Sequence, residues 1–85
     1  MIKDILDEAK NITDGRRCSY GTPEDSFYEI AKLWSSYIER EITREDVCIM
    51  MMLLKIAREK YGHKRDNLVD IAGYARCLSL IEDKK

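Results

Sequence analysis

Eight consecutive apolar residues, Val47-Cys48-Ile49-Met50-Met51-Met52-Leu53-Leu54, lie in the middle of a chain of only 85 residues. They cover two full helical turns without a polar side chain, and a helix that is apolar all round is buried all round. A chain this short buries only about 60–65% of the surface that its unfolded form exposes. The segment must therefore be the centre of the fold or an interface between subunits, and the sequence predicts an oligomer. Thr43 precedes the run and Asp46 follows three residues later, a capping-box spacing. The pattern predicts a helix over 44–61 that ends at Tyr61-Gly62.

Three further helices surround it. Ile2, Ile5, Leu6, Ala9 and Ile12 recur at three- and four-residue spacing, which predicts a helix over 2–13, stopped at Asp14-Gly15 with Gly15 as its left-handed cap. Residues 15–23 then read as a loop. Thr22, Pro23, Glu24 and Asp25 make a strong helix start, and Phe27, Ile30, Ala31, Trp34, Tyr37 and Ile38 line one face of a helix over 23–40. Asn67 with Asp70 offers a second cap pair for a helix over 66–82, with Leu68, Val69, Ile71, Ala72, Ala75, Leu78 and Ile81 facing inward. Gly73 inside that helix suggests close packing against a neighbour. No segment alternates as a strand does, so the expectation is an all-α, four-helix domain over residues 1–85.

Charge narrows the function classes. Fifteen basic against sixteen acidic residues leave a net charge of −1, without the basic field of a general nucleic-acid binder. Apolar runs stop well short of the 18 or so residues that cross a membrane. Cys18, Cys48 and Cys77 fit no zinc or redox spacing and suggest a reducing compartment. The start, Met1-Ile2-Lys3-Asp4, puts acids where a secretory segment needs an apolar core, so the expected location is the cytoplasm.

Two constellations carry chemistry. Lys55 and Arg58 share a helix face. Across a short turn come Asp66 and Asp70, with Tyr74 one turn further. Antiparallel packing would set the basic pair opposite Asp70 and Tyr74, as a register-fixing ion pair or as a site that grips phosphate beside an acid. The second is the Arg16-Arg17…Tyr20-Gly21 loop before a capped helix start, an anion cradle with an aromatic able to stack on a base. His63 has no metal-ligand partner at useful spacing, and nothing supports a paired nucleophile and base.

The chain resembles a family of small proteins encoded mainly by phages and prophages and known as an uncharacterised domain. The residues that carry the resemblance are Tyr20-Gly21-Thr22-Pro23 with Phe27, Ile30-Ala31-Lys32-Leu33-Trp34 with Tyr37, and Ile42-Thr43 with Asp46-Val47. They continue in Met51-Met52-Leu53-Leu54-Lys55-Ile56-Ala57-Arg58 and in Asp66 through Ala75. The resemblance covers about residues 20–75, leaves residues 1–14 outside, and implies a phage or prophage origin in a bacterial host. It places Lys55, Arg58, Asp66, Asp70 and Tyr74 in the family pattern and brings no activity with it. A weaker likeness is to the MazG-type all-α nucleotide pyrophosphohydrolases. The Glu-Glu-x-x-Glu helix of that family is missing here, and with it the core that would hold magnesium.

The reading favoured by these features is binding of a nucleotide or nucleotide-derived signal without turnover, by a small homo-oligomer with no cofactor. A phage could use it to sequester a host defence messenger. The ligand-binding residues would be Arg17, Tyr20, Gly21, Lys55, Arg58, Asp66, Asp70 and Tyr74. The alternatives are a helical protein-interaction module and a Mg²⁺-dependent nucleotide hydrolase with Asp66 and Asp70 on the metal.

Overall fold

The computed structural model describes residues 4–83, with the backbone alone for residues 16–20. Its elements are α1 (Ile5–Tyr20), α2 (Pro23–Ile38), α3 (Arg44–Tyr61) and α4 (Arg65–Asp83), with no strand among the described residues. Two of the helix starts are the predicted ones. The Thr22 hydroxyl accepts from the Asp25 amide at 3.3 Å, with Pro23 in the first turn of α2. The Thr43 hydroxyl accepts from Asp46 N at 3.1 Å while Thr43 N donates to Asp46 Oδ2 at 3.0 Å, closing a capping box on α3.

The first helix departs from the expectation at both ends. Its N-terminus is capped by Asp4, whose Oδ1 accepts from the Leu6 amide at 2.7 Å. Its C-terminus runs through Gly15 to Tyr20, so the expected loop over 15–23 shrinks to Gly21 and Thr22. Packing on α4 overrides the stop signal. Buried Thr13 donates its hydroxyl to the Ala9 carbonyl at 2.7 Å, and Asp14 pairs with Arg76 of α4 at 3.0 Å. Glu8 pairs with Arg65 on the same seam. Gly21 supplies the left-handed backbone at the end of α1, with φ +84°.

The second helix ends at Ile38, two residues early, because Glu39 adopts the left-handed conformation at φ 56°. The chain then folds back and Ser35 fastens it: its hydroxyl donates to the Ile42 carbonyl at 3.2 Å and accepts from the Ile42 amide at 2.8 Å. Tyr37 and Ile38, expected to face inward, are exposed; three residues beyond Trp34, Tyr37 has rotated off the edge of the apolar stripe. Leu6 of α1 is exposed too.

The fourth helix starts at Arg65 rather than at a cap formed by Asn67 and Asp70. Asn67 is buried and donates its side-chain amide to Glu59 Oε2 of α3 at 3.0 Å. Glu59 also meets His63 Nδ1 and accepts from the Lys64 amide at 3.3 Å, so it knots the α3–α4 turn. Those hydrogen bonds, with Asn67 first and His63 second, hold the Glu59 carboxyl below the usual glutamate range. Val69 and Ile81 are buried as expected, whereas Leu68 and Ala75 are exposed. Gly73 faces α1, but a methyl group there would sit 3.8 Å from the Thr13 hydroxyl, an ordinary contact.

The core gathers Phe27, Ala31, Val47, Cys48 and Ile81, with Trp34, Ile42, Met51, Leu78 and others packed against it. Helix α3 is therefore buried along the line of Val47, Cys48 and Met51. Its other side is not covered: Ile49, Met50, Leu53, Leu54 and Ile56 are exposed. Four helices in a chain this short enclose one side of α3 and leave the other bare, so the all-round burial expected of its apolar run is not reached within one chain.

Candidate functional site

A cavity of about 240 Å³ opens between α1, α2 and α4. Ala9, Ile12 and Thr13 form its α1 wall; Pro23, Ser26, Phe27 and Ile30 come from α2; Val69, Asp70, Gly73, Tyr74 and Cys77 come from α4, and Gly21 lies at the α1–α2 junction. The hollow exists because small residues (Ala9, Gly21, Ser26 and Gly73) occupy wall positions where larger ones would fill the space. Phe27 and Tyr74 set their rings 6.2 Å apart at 51°, a tilted aromatic pair within the wall.

The polar groups of this mostly apolar cavity are few and specific. Asp70 is held from behind by Lys55, with Nζ 2.9 Å from Oδ2 and the two side chains only 16% and 14% exposed. The predicted antiparallel pairing of α3 and α4 thus brings Lys55 to Asp70. The pair neutralises the carboxylate and turns it into an oriented acceptor, with Oδ1 uncommitted among the described residues. The hydroxyls of Tyr74 and Ser26 make no hydrogen bond to another described residue either. Thr13 has spent its proton on the Ala9 carbonyl and retains acceptor capacity. The arrangement offers a mostly apolar hollow with one ion-paired acid and two or three hydroxyl groups, a chemistry suited to recognition.

The other sequence-predicted residues fall elsewhere. Arg58 and Asp66 are exposed and line no part of the cavity. Arg58 follows Lys55 by three positions, and that rotation carries it off the side of α3 that meets α4. The side chains of Arg17 and Tyr20 lie outside the described residues. The anion cradle expected around them is not formed as a loop, since the backbone of residues 16–20 belongs to α1 and the last turn of a helix carries the negative end of its dipole. The Asp66/Asp70 metal pair is not assembled: Asp70 is committed to Lys55, and no three His, Cys, Asp or Glu residues come together in the geometry of a metal site among the described residues.

Sequence reasoning missed Thr13, Ser26, Phe27, Ile30, Val69 and Cys77 as cavity residues. Phe27, Ile30 and Val69 look like plain core in a linear pattern. The available signal was the small polar residue set in an apolar stripe, Ser26 four positions before Ile30 and Thr13 four after Ala9. Behind the wall, burial first and then the nearby Cys77 and Glu45 push the Cys48 thiol up to about 12, which keeps it protonated and unreactive.

The sequence profile of the domain of unknown function DUF6378 matches residues 4–82, taking in all four helices. The chain belongs to the DUF6378 family. Its relatives include the Gene 55 protein of Mycobacterium phage D29, 44% identical over 86 residues, an alignment covering 99% of this chain and 57% of that protein. The Gene 55 protein of Mycobacterium phage L5 is also 44% identical, over 81 residues, with 92% and 52% covered. The chain thus spans about half the length of these curated relatives. No solved structure matches it. The expected kinship with a small phage-encoded family holds, and the cavity described above is a feature of a DUF6378 chain. No helix among the described residues is long and apolar enough to cross a membrane.

Proposed function

We propose that this DUF6378 chain binds a small planar molecule, a nucleobase-bearing nucleoside or nucleotide-derived signal, without turning it over. The observation that carries this reading is the cavity between α1, α2 and α4, where the ring pair Phe27–Tyr74 meets the Lys55-anchored carboxylate of Asp70. Its volume of about 240 Å³ is below the roughly 300–1,000 Å³ of a drug-sized site. It suits a base rather than a whole nucleoside triphosphate. Sugar and phosphate would extend past exposed Gly21. Asp70 Oδ1 would accept from an exocyclic amino group, and the Tyr74 and Ser26 hydroxyls would meet ring nitrogen or carbonyl atoms. In a phage protein, such a site would serve to sequester a host messenger or to sense nucleotide pools.

Isothermal titration calorimetry against a panel of nucleosides and linear and cyclic nucleotides tests the reading. Saturable binding of at least one class is expected, weakened about tenfold or more by Tyr74→Phe or Ser26→Ala if the lost bond is worth roughly 1.5 kcal/mol. Absence of heat or chemical-shift change across the panel at millimolar ligand rejects it. A second reading, a helical interaction module, is favoured by one separate observation, the uncovered apolar side of α3.

A further inference from the structure

The uncovered side of α3 has an internal order that a generic sticky patch lacks. Its apolar members are Ile49, Met50, Leu53, Leu54 and Ile56, each between 39% and 59% exposed. Ile49, Met50, Leu53 and Ile56 cluster on the side opposite Val47, Cys48 and Met51, with Leu54 at the edge of that side, and none of the five lines the cavity. The strip exposes on the order of 400 Å² of apolar surface, within the range of the largest patches on soluble monomers, which are often functional. The chain is also less compact than its length requires: its Cα radius of gyration is 13.5 Å, against about 12 Å for a compact chain of this length.

The order lies in the register. Along the outer face the positions 46, 49/50, 53, 56/57 and 60 follow the alternating three- and four-residue spacing of a helix–helix seam. They are symmetric about Leu53: Ile49 and Ala57 lie four residues either side of it, Met50 and Ile56 three, and Asp46 and Lys60 seven. The ends carry opposite charge, acidic in the first turn and basic in the last. Asp46 spends Oδ2 on its cap and keeps its other oxygen.

We propose that this face is a two-fold interface between two copies of the chain, with α3 packed antiparallel on α3 and the axis passing at Leu53. In that arrangement Leu53 meets itself, Met50 meets Ile56, Ile49 meets Ala57, and Asp46 of each copy lies opposite Lys60 of the other. The two macrodipoles oppose, which is favourable, whereas a parallel pairing would set acid on acid and base on base. The same patch serves both copies, as an isologous dimer requires. The apolar strip supplies about half of the roughly 800 Å² per partner of a standard interface, and the exposed side chains of Asp46, Ala57, Lys60 and Tyr61 lie at its ends. The inference stands on a different face from the cavity and does not depend on the ligand reading.

Sedimentation equilibrium of the full chain from about 1 to 200 µM decides it. The wild type is expected at twice the 10.0 kDa chain mass in the upper part of that range. Leu53→Glu, which sets two like charges on the axis, should be monomeric throughout with unchanged far-ultraviolet circular dichroism. Lys60→Glu, at an exposed end position, should weaken the dimer by tenfold or more, and added salt should recover part of the loss by screening the new repulsion. A Leu53→Cys chain, oxidised in dilute solution, should give a dimer linked through that position. A wild type that stays monomeric at 200 µM overturns the proposal, as does a dimer indifferent to both Leu53→Glu and Lys60→Glu or a trimer or larger assembly.

Discussion

Replacing Lys55 with Met removes the one cation paired with Asp70 among the described residues and leaves its carboxylate against the apolar wall of the cavity. Breaking a fully buried pair costs about 3–5 kcal/mol, because the remaining charge loses its compensation. The Lys55 and Asp70 side chains retain 14% and 16% exposure, so residual solvation lowers the expected cost to about 2–3 kcal/mol. Asp70→Leu should cost a similar amount by stranding the ammonium group. The double variant Lys55→Met/Asp70→Leu removes both charges and substitutes apolar surface, and should return to within about 1 kcal/mol of the wild type. The coupling energy from the cycle is then about 3–6 kcal/mol, measured by urea unfolding with circular dichroism at fixed protein concentration. In thermal scans each single variant should melt lower by about 8–24 °C, given 4–8 °C per kcal/mol for a domain of this size. A single-variant loss below about 0.5 kcal/mol, or strictly additive effects, would refute the view of a strongly coupled pair. The double variant also separates structure from recognition: it should fold and yet bind no ligand that uses the Asp70 carboxylate.

Glu39→Gly should stabilise the chain by about 0.5–1 kcal/mol, since the left-handed backbone at φ 56° strains a residue with a Cβ and not glycine; an unchanged or lower urea midpoint argues against strain there. Ser35→Ala should destabilise by about 1–2 kcal/mol, because the half-buried amide and carbonyl of Ile42 both lose their partner. Hydrogen exchange of the Ile42 amide should accelerate with it. Glu59→Gln should reveal a pH-dependent contribution. The folded carboxyl is held low by Asn67 and then His63, so its stabilisation is present in full above the ordinary glutamate range and is lost as pH falls through the folded value. The stability gap between wild type and Glu59→Gln is therefore expected to be constant near neutrality and to close below about pH 4; a gap unchanged in acid would contradict the assignment.

What was legible in the sequence was local. Thr22 and Thr43 make their caps with Asp25 and Asp46 three residues away, so the chemistry of those helix starts is contained in one short window. The end of α1 was not: Asp14-Gly15 has the form of a stop, and what cancels it is Arg76, 62 residues later. Asn67 resembles a cap for the same reason of composition, while its amide serves Glu59 across the turn. Lys55 and Asp70 could be paired in advance because a short turn between two helices dictates antiparallel neighbours, which assigns partners roughly equidistant from the bend. Arg58 failed the same test by its rotation about α3. The cavity was invisible because it is made of missing volume at Ala9, Gly21, Ser26 and Gly73, and a linear pattern records side chains that are present. The apolar run of α3 announced burial but not by which neighbour.

The ion pairs between α1 and α4 join residues 57 and 62 positions apart, Glu8 with Arg65 and Asp14 with Arg76. The α2–α3 and α3–α4 contacts join neighbours in the chain, and the α2–α4 contact of Phe27 with Tyr74 spans 47 positions. Closing a long loop costs entropy before its contacts repay it, and non-local pairings slow folding. The order of assembly that follows is α2, α3 and α4 first, with α1 closing against α4 at the end. The cavity acquires its third wall only in that last step. Any molecule seated there therefore binds the completed state alone and, by mass action, raises the cost of releasing the N-terminal helix.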